Sequence, residues 1–536
     1  MQHSNNNKIQ SLMKNIHHLV LTFFSMCFVL ASCQKPTPAP TPKDLLKESF
    51  IPKPAKVEAF GSSFRIYNET QIAINSNSNE LKRVAEYFAQ ILRPATGFDF
   101  NVVQKEEESK GDINFIVSEK LSELGNEGYT LTITDDKVVL LAHKSEGIFR
   151  GIQTIRQLFP PEIERTEPQN IIWELASGII NDQPNYSYRG SMLDVSRHFF
   201  TVEEVKQYID WLARYKMNVM HLHLTDDQGW RIEIKKWPKL TEIGGSTEVG
   251  GEKGGYYTQE QYKDLVRYAS ERYITIIPEI DVPGHTNAAL ASYPELNCDD
   301  KAPELYTGTK VGFSSFCIEK EITYQFMNDV ISEIASITPG PYIHIGGDEP
   351  NATKKEDYIL FINKVQDIVS DHKKIMIGWN EVVSAEIKPT TIVQFWTRKE
   401  EAKEALEHGA KLIMSPAKRA YLDMKYDSIT NPQLGLNWAG YIEVDKAYNW
   451  QPETYVPEIG KDNILGIECP LWTETVSNMD EMEFLVFPRL LGYSEIGWSK
   501  SDIRNWEDYK TRLGYHSLIF KELGIDYYAS KLIDWK

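Results

Sequence analysis

From Tyr186 onward, short apolar runs rich in β-formers alternate with longer stretches of helical period. The runs fall at Tyr188–Val195, Val219–Thr225, Ile274–Ile280, Tyr342–Gly346, Ile375–Gly378, Thr391–Trp396, Lys411–Met414 and Ile464–Cys469. Amphipathic segments such as Val202–Tyr215, Gln259–Glu271 and Lys355–Val369 lie between them. Strands that alternate with helices build a parallel sheet, and eight such units over roughly 350 residues predict an α/β chain with a (β/α)8 TIM barrel.

The positions of the polar residues agree with this reading. Asp226-Asp227, Asp281, His285, Asp348-Glu349, Trp379, Trp396, Trp472 and Glu474 all follow the C-terminal ends of the expected strands. Barrel enzymes assemble their active sites at that face. Residues 185–536 are therefore expected to form the catalytic barrel and residues 51–184 a smaller, non-catalytic α+β domain. The smaller region has a strand-like run at Gly128–Ala142 and helix-like ones at Asn79–Leu92 and Ser145–Leu158, with no cluster of reactive side chains.

The first 50 residues read differently. Lys8 and Lys14 precede an apolar run from Leu19 to Leu30, too short to span a bilayer but suited to a signal peptide. The run ends Leu30-Ala31-Ser32-Cys33, which resembles a bacterial lipobox. That resemblance implies removal of residues 1–32 and lipidation of Cys33; an ordinary signal peptide with an incidental cysteine is the alternative. Pro36, Pro38, Pro40 and Pro42 then predict a semi-rigid tether over residues 33–50. The expected location is extracytoplasmic, lipid-anchored to a bacterial membrane, with no other membrane contact. In an oxidising compartment Cys298 and Cys317 could pair, contributing about 3 kcal/mol, although spacing alone does not decide it. Cys469 reads as a small buried hydrophobe.

The chain is 41% hydrophobic and 25% charged, as expected of a folded protein, and its net charge of −18 argues against a nucleic-acid partner. The sharpest motif is His344-Ile345-Gly346-Gly347-Asp348-Glu349-Pro350. Its glycines allow a sharp turn at the exit of the fourth strand, and Pro350 could open a helix that Asp348 and Glu349 merely cap. The chemical reading is a glycosidic acid. Neighbours in sequence are poorly placed to flank a bond from opposite faces, so they suit a substrate that supplies its own nucleophile.

His344–Pro350 resembles the HxGGDE signature of family 20 glycoside hydrolases, the β-N-acetylhexosaminidases. Further segments resemble the same family in order. They are Arg189-Gly190-Ser191-Met192-Leu193-Asp194-Val195-Ser196-Arg197-His198, His221-Leu222-His223-Leu224-Thr225-Asp226-Asp227-Gln228-Gly229-Trp230-Arg231 and Pro278-Glu279-Ile280-Asp281-Val282-Pro283-Gly284-His285. Gly378-Trp379-Asn380-Glu381, Trp396, Tyr421-Leu422-Asp423 and Trp472-Thr473-Glu474 continue the likeness. The resemblance implies an exo-acting, retaining enzyme that releases terminal β-linked GlcNAc or GalNAc through an oxazolinium intermediate, without cofactor or metal.

By the same resemblance Glu349 is the acid–base and Asp348 holds the acetamido N–H and stabilises the developing positive charge. Tyr421 donates to the acetamido oxygen, and Arg189 binds the 3- and 4-hydroxyls. Asp423 and Glu474 accept from the 4- and 6-hydroxyls, while Trp379, Trp396 and Trp472 wall the pocket. His285 with Asp226 orients Glu349; neighbouring strand residues face opposite ways, so either Asp226 or Asp227 could fill this role, with Asp226 favoured.

Three rival readings remain. His221 and His223, near Asp226, His285 and His344, resemble the ligands of a metal-dependent barrel hydrolase, although they sit low in the expected barrel. Gly346-Gly347-Asp348-Glu349 matches the core of the cyclic-dinucleotide synthases, but Pro350 stands where those have an aromatic residue. A glycan-binding lectin would lack the acid that Glu349 supplies.

Overall fold

The computed structural model describes residues 41–536. The expected signal peptide, Cys33 and the first part of the expected tether, residues 33–40, lie outside them. Residues 43–50 are no tether: Leu45 and Phe50 are buried, Lys43 Nζ donates to the Glu174 carbonyl at 2.9 Å, and His516 Nε2 meets the Ser49 carbonyl at 2.9 Å. The expected tether to residue 50 is too long, because apolar residues in its second half fold into the body of the protein. Among the described residues no helix is long and apolar enough to cross a membrane.

The first domain is built on a seven-stranded mixed sheet in the order Lys56–Arg65, Glu174–Asp182, Tyr129–Ile133, Val138–Ala142, Ile113–Val117, Ile72–Ile74, Val102–Gln104. Helices Asn79–Thr96 and Ser145–Leu158 pack on it. In the first, Leu81, Val84, Ala85, Phe88, Ala89 and Leu92 recur at helical spacing and are buried; Ser78 caps its start and Gly97, at φ 69°, ends it.

The second domain is the expected barrel. Eight parallel strands close on themselves: β1 (Tyr188–Asp194), β2 (Val219–His223), β3 (Thr275–Glu279), β4 (Tyr342–His344), β5 (Ile375–Trp379), β6 (Ile392–Phe395), β7 (Lys411–Met414) and β8 (Ile464–Leu471). Closure runs through β8 and β1, with Gly466 opposite Tyr188 and Leu471 opposite Leu193. Tyr188, Val219, Ile277, Ile377, Ile392 and Ile413 plug the lower end. Above that plug the interior is polar: His221, His223, Glu279, His344, Gln394 and Glu468 are all buried there.

A buried charge cluster joins the two domains at the start of β1. Glu127 of the first domain receives Arg150 Nε at 2.9 Å and the guanidinium of Arg189. Burial would raise its pKa, but Arg189 and Arg150 hold it below the ordinary range. Lys216 Nζ reaches Asp182 at 3.0 Å, and Trp498 Nε1 donates to the same carboxylate at 2.9 Å.

Candidate active site

At the exit of β4 the chain turns on Gly346 (φ 65°) and Gly347 (φ 92°), and then on Glu349 itself at φ 44°. A Cβ on Gly346 would stand 1.8 Å from Asp281 Oδ1, which accepts the Gly347 N–H at 3.1 Å, so only glycine fits there. His285 (φ 56°) and Arg398 (φ 38°) are also held in left-handed backbone beside the same cavity. Non-glycine residues in that region store strain of about 1–3 kcal/mol each and gather where the fold fixes a site. The helix expected to open at Pro350 begins instead at Lys355, after a turn closed by Thr353 N–H to the Pro350 carbonyl at 3.0 Å. Asp348 and Glu349 therefore cap no helix.

Both carboxylates face a cavity of about 460 Å³ at the C-terminal mouth of the barrel, within the usual range for small-ligand sites. Trp379, Trp396, Tyr421, Asp423, Trp472 and Glu474 line it, as expected. Trp379 and Trp472 lie 5.8 Å apart between ring centroids, and Trp396 stacks on Tyr421 at 6.5 Å. Trp379 Nε1 is anchored on Glu279 at 2.9 Å and Trp396 Nε1 on Glu381 at 3.1 Å. Burial, with Asp348 nearby, pushes the Glu381 carboxyl up to about 8. Glu474 Oε2 and Asp348 Oδ1 are buried acceptors without a hydrogen-bond partner in the protein.

His285 organises the acidic wall. Its Nδ1 lies 3.2 Å from Asp226 Oδ1, and its Nε2 lies 3.6 Å from Asp348 and 3.7 Å from Glu349. Burial disfavours the imidazolium, but Asp226, Asp281 and Asp348 outweigh it and raise the pKa well above the ordinary histidine value. Glu349 is raised, first by burial and then by the Asp348 charge, which keeps a proton on it to higher pH. Asp226 is thus the residue behind His285. Asp227 turns away, accepting from the Asn287 N–H at 2.9 Å and from Ser314 Oγ.

Arg189 does not reach the cavity. It is the second residue of β1, at the opposite end of the barrel, wholly buried against Glu127, the Tyr186 and Lys216 carbonyls and the Trp498 ring. The expectation that it binds sugar hydroxyls is wrong because a strand's first residues lie far from its C-terminal mouth. Arg197, three residues beyond the end of β1, lines the cavity instead. Its guanidinium bonds Asp226 at 2.8 Å, reaches Asp194 at 3.3 Å and lies 4.8 Å over the Trp472 ring. Trp438, 57% exposed, is a second lining residue that the sequence reading missed; it packs edge-on against Trp396 and Tyr421. Thr309 and Val311 complete one wall from a loop closed by a Cys298–Cys317 disulfide, which resolves the open question about those thiols; Cys469 is free and buried.

His221 and His223 lie inside the barrel but not low in it: His221 is the middle residue of β2 and His223 its last, packed edge-on against Trp472. His221 Nδ1 meets Glu468 at 2.9 Å, and His223 bridges Glu279 and Asp226. His221 Nε2 also lies 3.0 Å from Glu279.

The family model described as glycosyl hydrolase family 20, catalytic domain, matches residues 186–358 and 352–501, and that of the family's domain 2 matches 47–183. The chain belongs to glycosyl hydrolase family 20. It is 36% identical to a β-N-acetylhexosaminidase of Cellulomonas fimi over 90% of this chain and 97% of that relative. The solved GH20 β-N-acetylhexosaminidase from Streptomyces coelicolor A3(2) is 47% identical with a TM-score of 0.88, over 91% of this chain and 99% of that one. A mutant Streptomyces plicatus β-hexosaminidase in complex with product (GlcNAc) is 48% identical with a TM-score of 0.88, over 94% and 100%. This family 20 chain is accordingly a glycoside hydrolase with its barrel at the C-terminal side of the smaller domain.

Proposed function

We propose that this family 20 hydrolase is an exo-acting, retaining β-N-acetylhexosaminidase that releases terminal β-linked GlcNAc or GalNAc by substrate-assisted catalysis. One observation carries the mechanism. Asp348 and Glu349 are neighbours on one turn of backbone, and both lie within 3.7 Å of a single nitrogen, His285 Nε2. A double-displacement glycosidase needs its second carboxylate across the ring, about 5–5.5 Å from the first. Adjacent to Glu349 and held on the same imidazole, Asp348 is read as the partner of the 2-acetamido group, whose oxygen takes the nucleophile's role.

Glu349 gives its proton to the leaving oxygen as the acetamido oxygen attacks the anomeric carbon, and it later takes a proton from the water that opens the oxazolinium ring. The free Oδ1 of Asp348 accepts the acetamido N–H and opposes the positive charge that develops there. Tyr421 donates to the acetamido oxygen, and the Trp379, Trp396 and Trp472 rings enclose its methyl group. Arg197, Asp423 and Glu474 bind the ring hydroxyls. The relatives named above support the substrate class. The lipobox supports attachment of the mature chain to an extracytoplasmic membrane surface through Cys33, which palmitate labelling of the wild type and loss of label in Cys33→Ala would test.

A panel of chromogenic β-glycosides tests the function. Rapid turnover of the N-acetylglucosaminide or N-acetylgalactosaminide is expected, with near-inert glucoside and strong inhibition by a thiazoline analogue of the cyclic intermediate. Efficient glucoside hydrolysis would refute substrate assistance, and inertness towards every N-acetylated sugar would refute the enzyme reading.

A further inference from the structure

Apart from the sugar pocket there is a cavity of about 440 Å³ whose walls carry Lys399, Lys418, Arg419 and Lys446 with Trp450 and Tyr455. It has no lining residue in common with the sugar pocket, although in the sequence Lys399 follows pocket residue Arg398 and Arg419 precedes pocket residue Tyr421 by two positions. Three elements supply the cations: helix Lys399–Glu407, the turn Ala417–Ala420 and helix Val444–Tyr448. Arg419 Nη1 ties two of them together by donating to the Lys446 carbonyl at 3.1 Å.

Among the described residues none of these cations forms an ion pair, and no carboxylate lines the cavity. Lys446 spends one donor on the Tyr441 carbonyl at 2.7 Å, and Lys399 lies 5.1 Å over the Tyr455 ring. The remaining donors of Lys399 and Lys418 are uncommitted. The cations feel each other: burial lowers the Lys446 pKa, and Arg419 and Lys418 lower it further against a small opposing effect of Asp445. In a chain of net charge −18, acids to neutralise such a group are abundant everywhere else. Like charges gathered without counter-charge repel one another, and a bound anion removes that repulsion while gaining several charge-assisted hydrogen bonds.

We propose that this cavity binds a sulfate or phosphate ester carried by an acidic glycan. The anion chemistry follows from the cations alone; the glycan as carrier rests on the proposed function. Trp450, buried, and Tyr455, on which it packs edge-on, give the cavity an aromatic wall.

The test is calorimetric titration of the full chain at low salt with a 6-sulfated chondroitin disaccharide, its unsulfated counterpart, inorganic sulfate, and vesicles containing phosphatidylglycerol. Lys399 and Lys418 are exposed, so K399A/K418A should fold normally. The sulfated disaccharide should bind, more weakly as salt rises, and the double variant should lose about tenfold or more in affinity. Inorganic sulfate should compete. No binding of any probe by the wild type, equal binding of the unsulfated sugar, or undiminished binding by K399A/K418A overturns the site. Lysine-dependent vesicle binding without disaccharide binding keeps the anion site and overturns the glycan as its carrier. Wild-type turnover of a neutral chromogenic N-acetylglucosaminide is measured separately, so failure of the glycosidase reading and failure of the anion site are distinguishable.

Discussion

Glu279→Gln tests whether the polar barrel interior depends on charge. The Glu279 carboxylate lies 3.0 Å from His221 Nε2 and 3.0 Å from His344 Nδ1, bonds His223, and accepts from Trp379 Nε1. In the folded protein His221 keeps its proton up to about 9: burial pulls its pKa down, and the Glu468 and Glu279 charges more than reverse this. Moving an imidazole from 6.5 to about 9 corresponds to roughly 3 kcal/mol of stability. Because the folded pKa is the raised one, that contribution is complete below 6.5 and is lost as pH climbs through about 9. Glutamine keeps the shape and removes the charge, leaving buried cations short of a partner, which costs about 3–5 kcal/mol near pH 6. The deficit should narrow by up to about 3 kcal/mol on the alkaline side of the His221 titration. Urea unfolding followed by tryptophan fluorescence, wild type against variant at both pH values, measures it. A deficit under about 1 kcal/mol, or one that does not change with pH, refutes the electrostatic account.

Glu349→Gln should lower turnover by about 10²–10⁴-fold, with a smaller loss on a leaving group that needs no proton; equal losses on both would remove it as the acid. Its raised pKa should place the alkaline fall in wild-type rate above the ordinary glutamate range, and a pH profile of the variant should lack that limb. Tyr421→Phe should lower kcat and kcat/KM together, whereas a change in KM alone would contradict its place on the acetamido oxygen. Gly346→Ala puts a Cβ 1.8 Å from Asp281 Oδ1 and should cost about 10²-fold or more in kcat by displacing the β4 turn; wild-type kinetics would show the turn to be adaptable. Arg189→Met should destabilise the fold by about 3–5 kcal/mol in urea without raising KM, and a raised KM at full stability would return Arg189 to the sugar pocket.

The parts of this protein that repeat were legible. The strand–helix rhythm located the barrel, and side chains at strand exits located most of the pocket, because both follow from backbone periodicity. The Arg189 error came from position along an element. Arg189 and Arg197 stand in the same motif, yet one opens β1 and the other follows its end. The barrel rule, applied to that strand as it was to the others, would have selected Arg197. Pro350 carries a helix-start signal that the 350–353 turn overrides. Trp438 and Val311 arrive on long loops with no period, and nothing local to them announces their destination.

The Glu127 junction bears on how such a chain can be cut and recombined. Arg150 and Arg189, one from each domain, share a single carboxylate in the dry seam between them, and Lys216 and Asp182 repeat the arrangement across it. Severing the chain after Asp182 would leave Arg189 and Lys216 as stranded cations on the floor of the barrel. The smaller domain, which offers no residue to the sugar pocket, is therefore the counter-ion of the catalytic one, and the barrel is no portable cassette: a foreign partner could replace that domain only by bringing acids to the same two points.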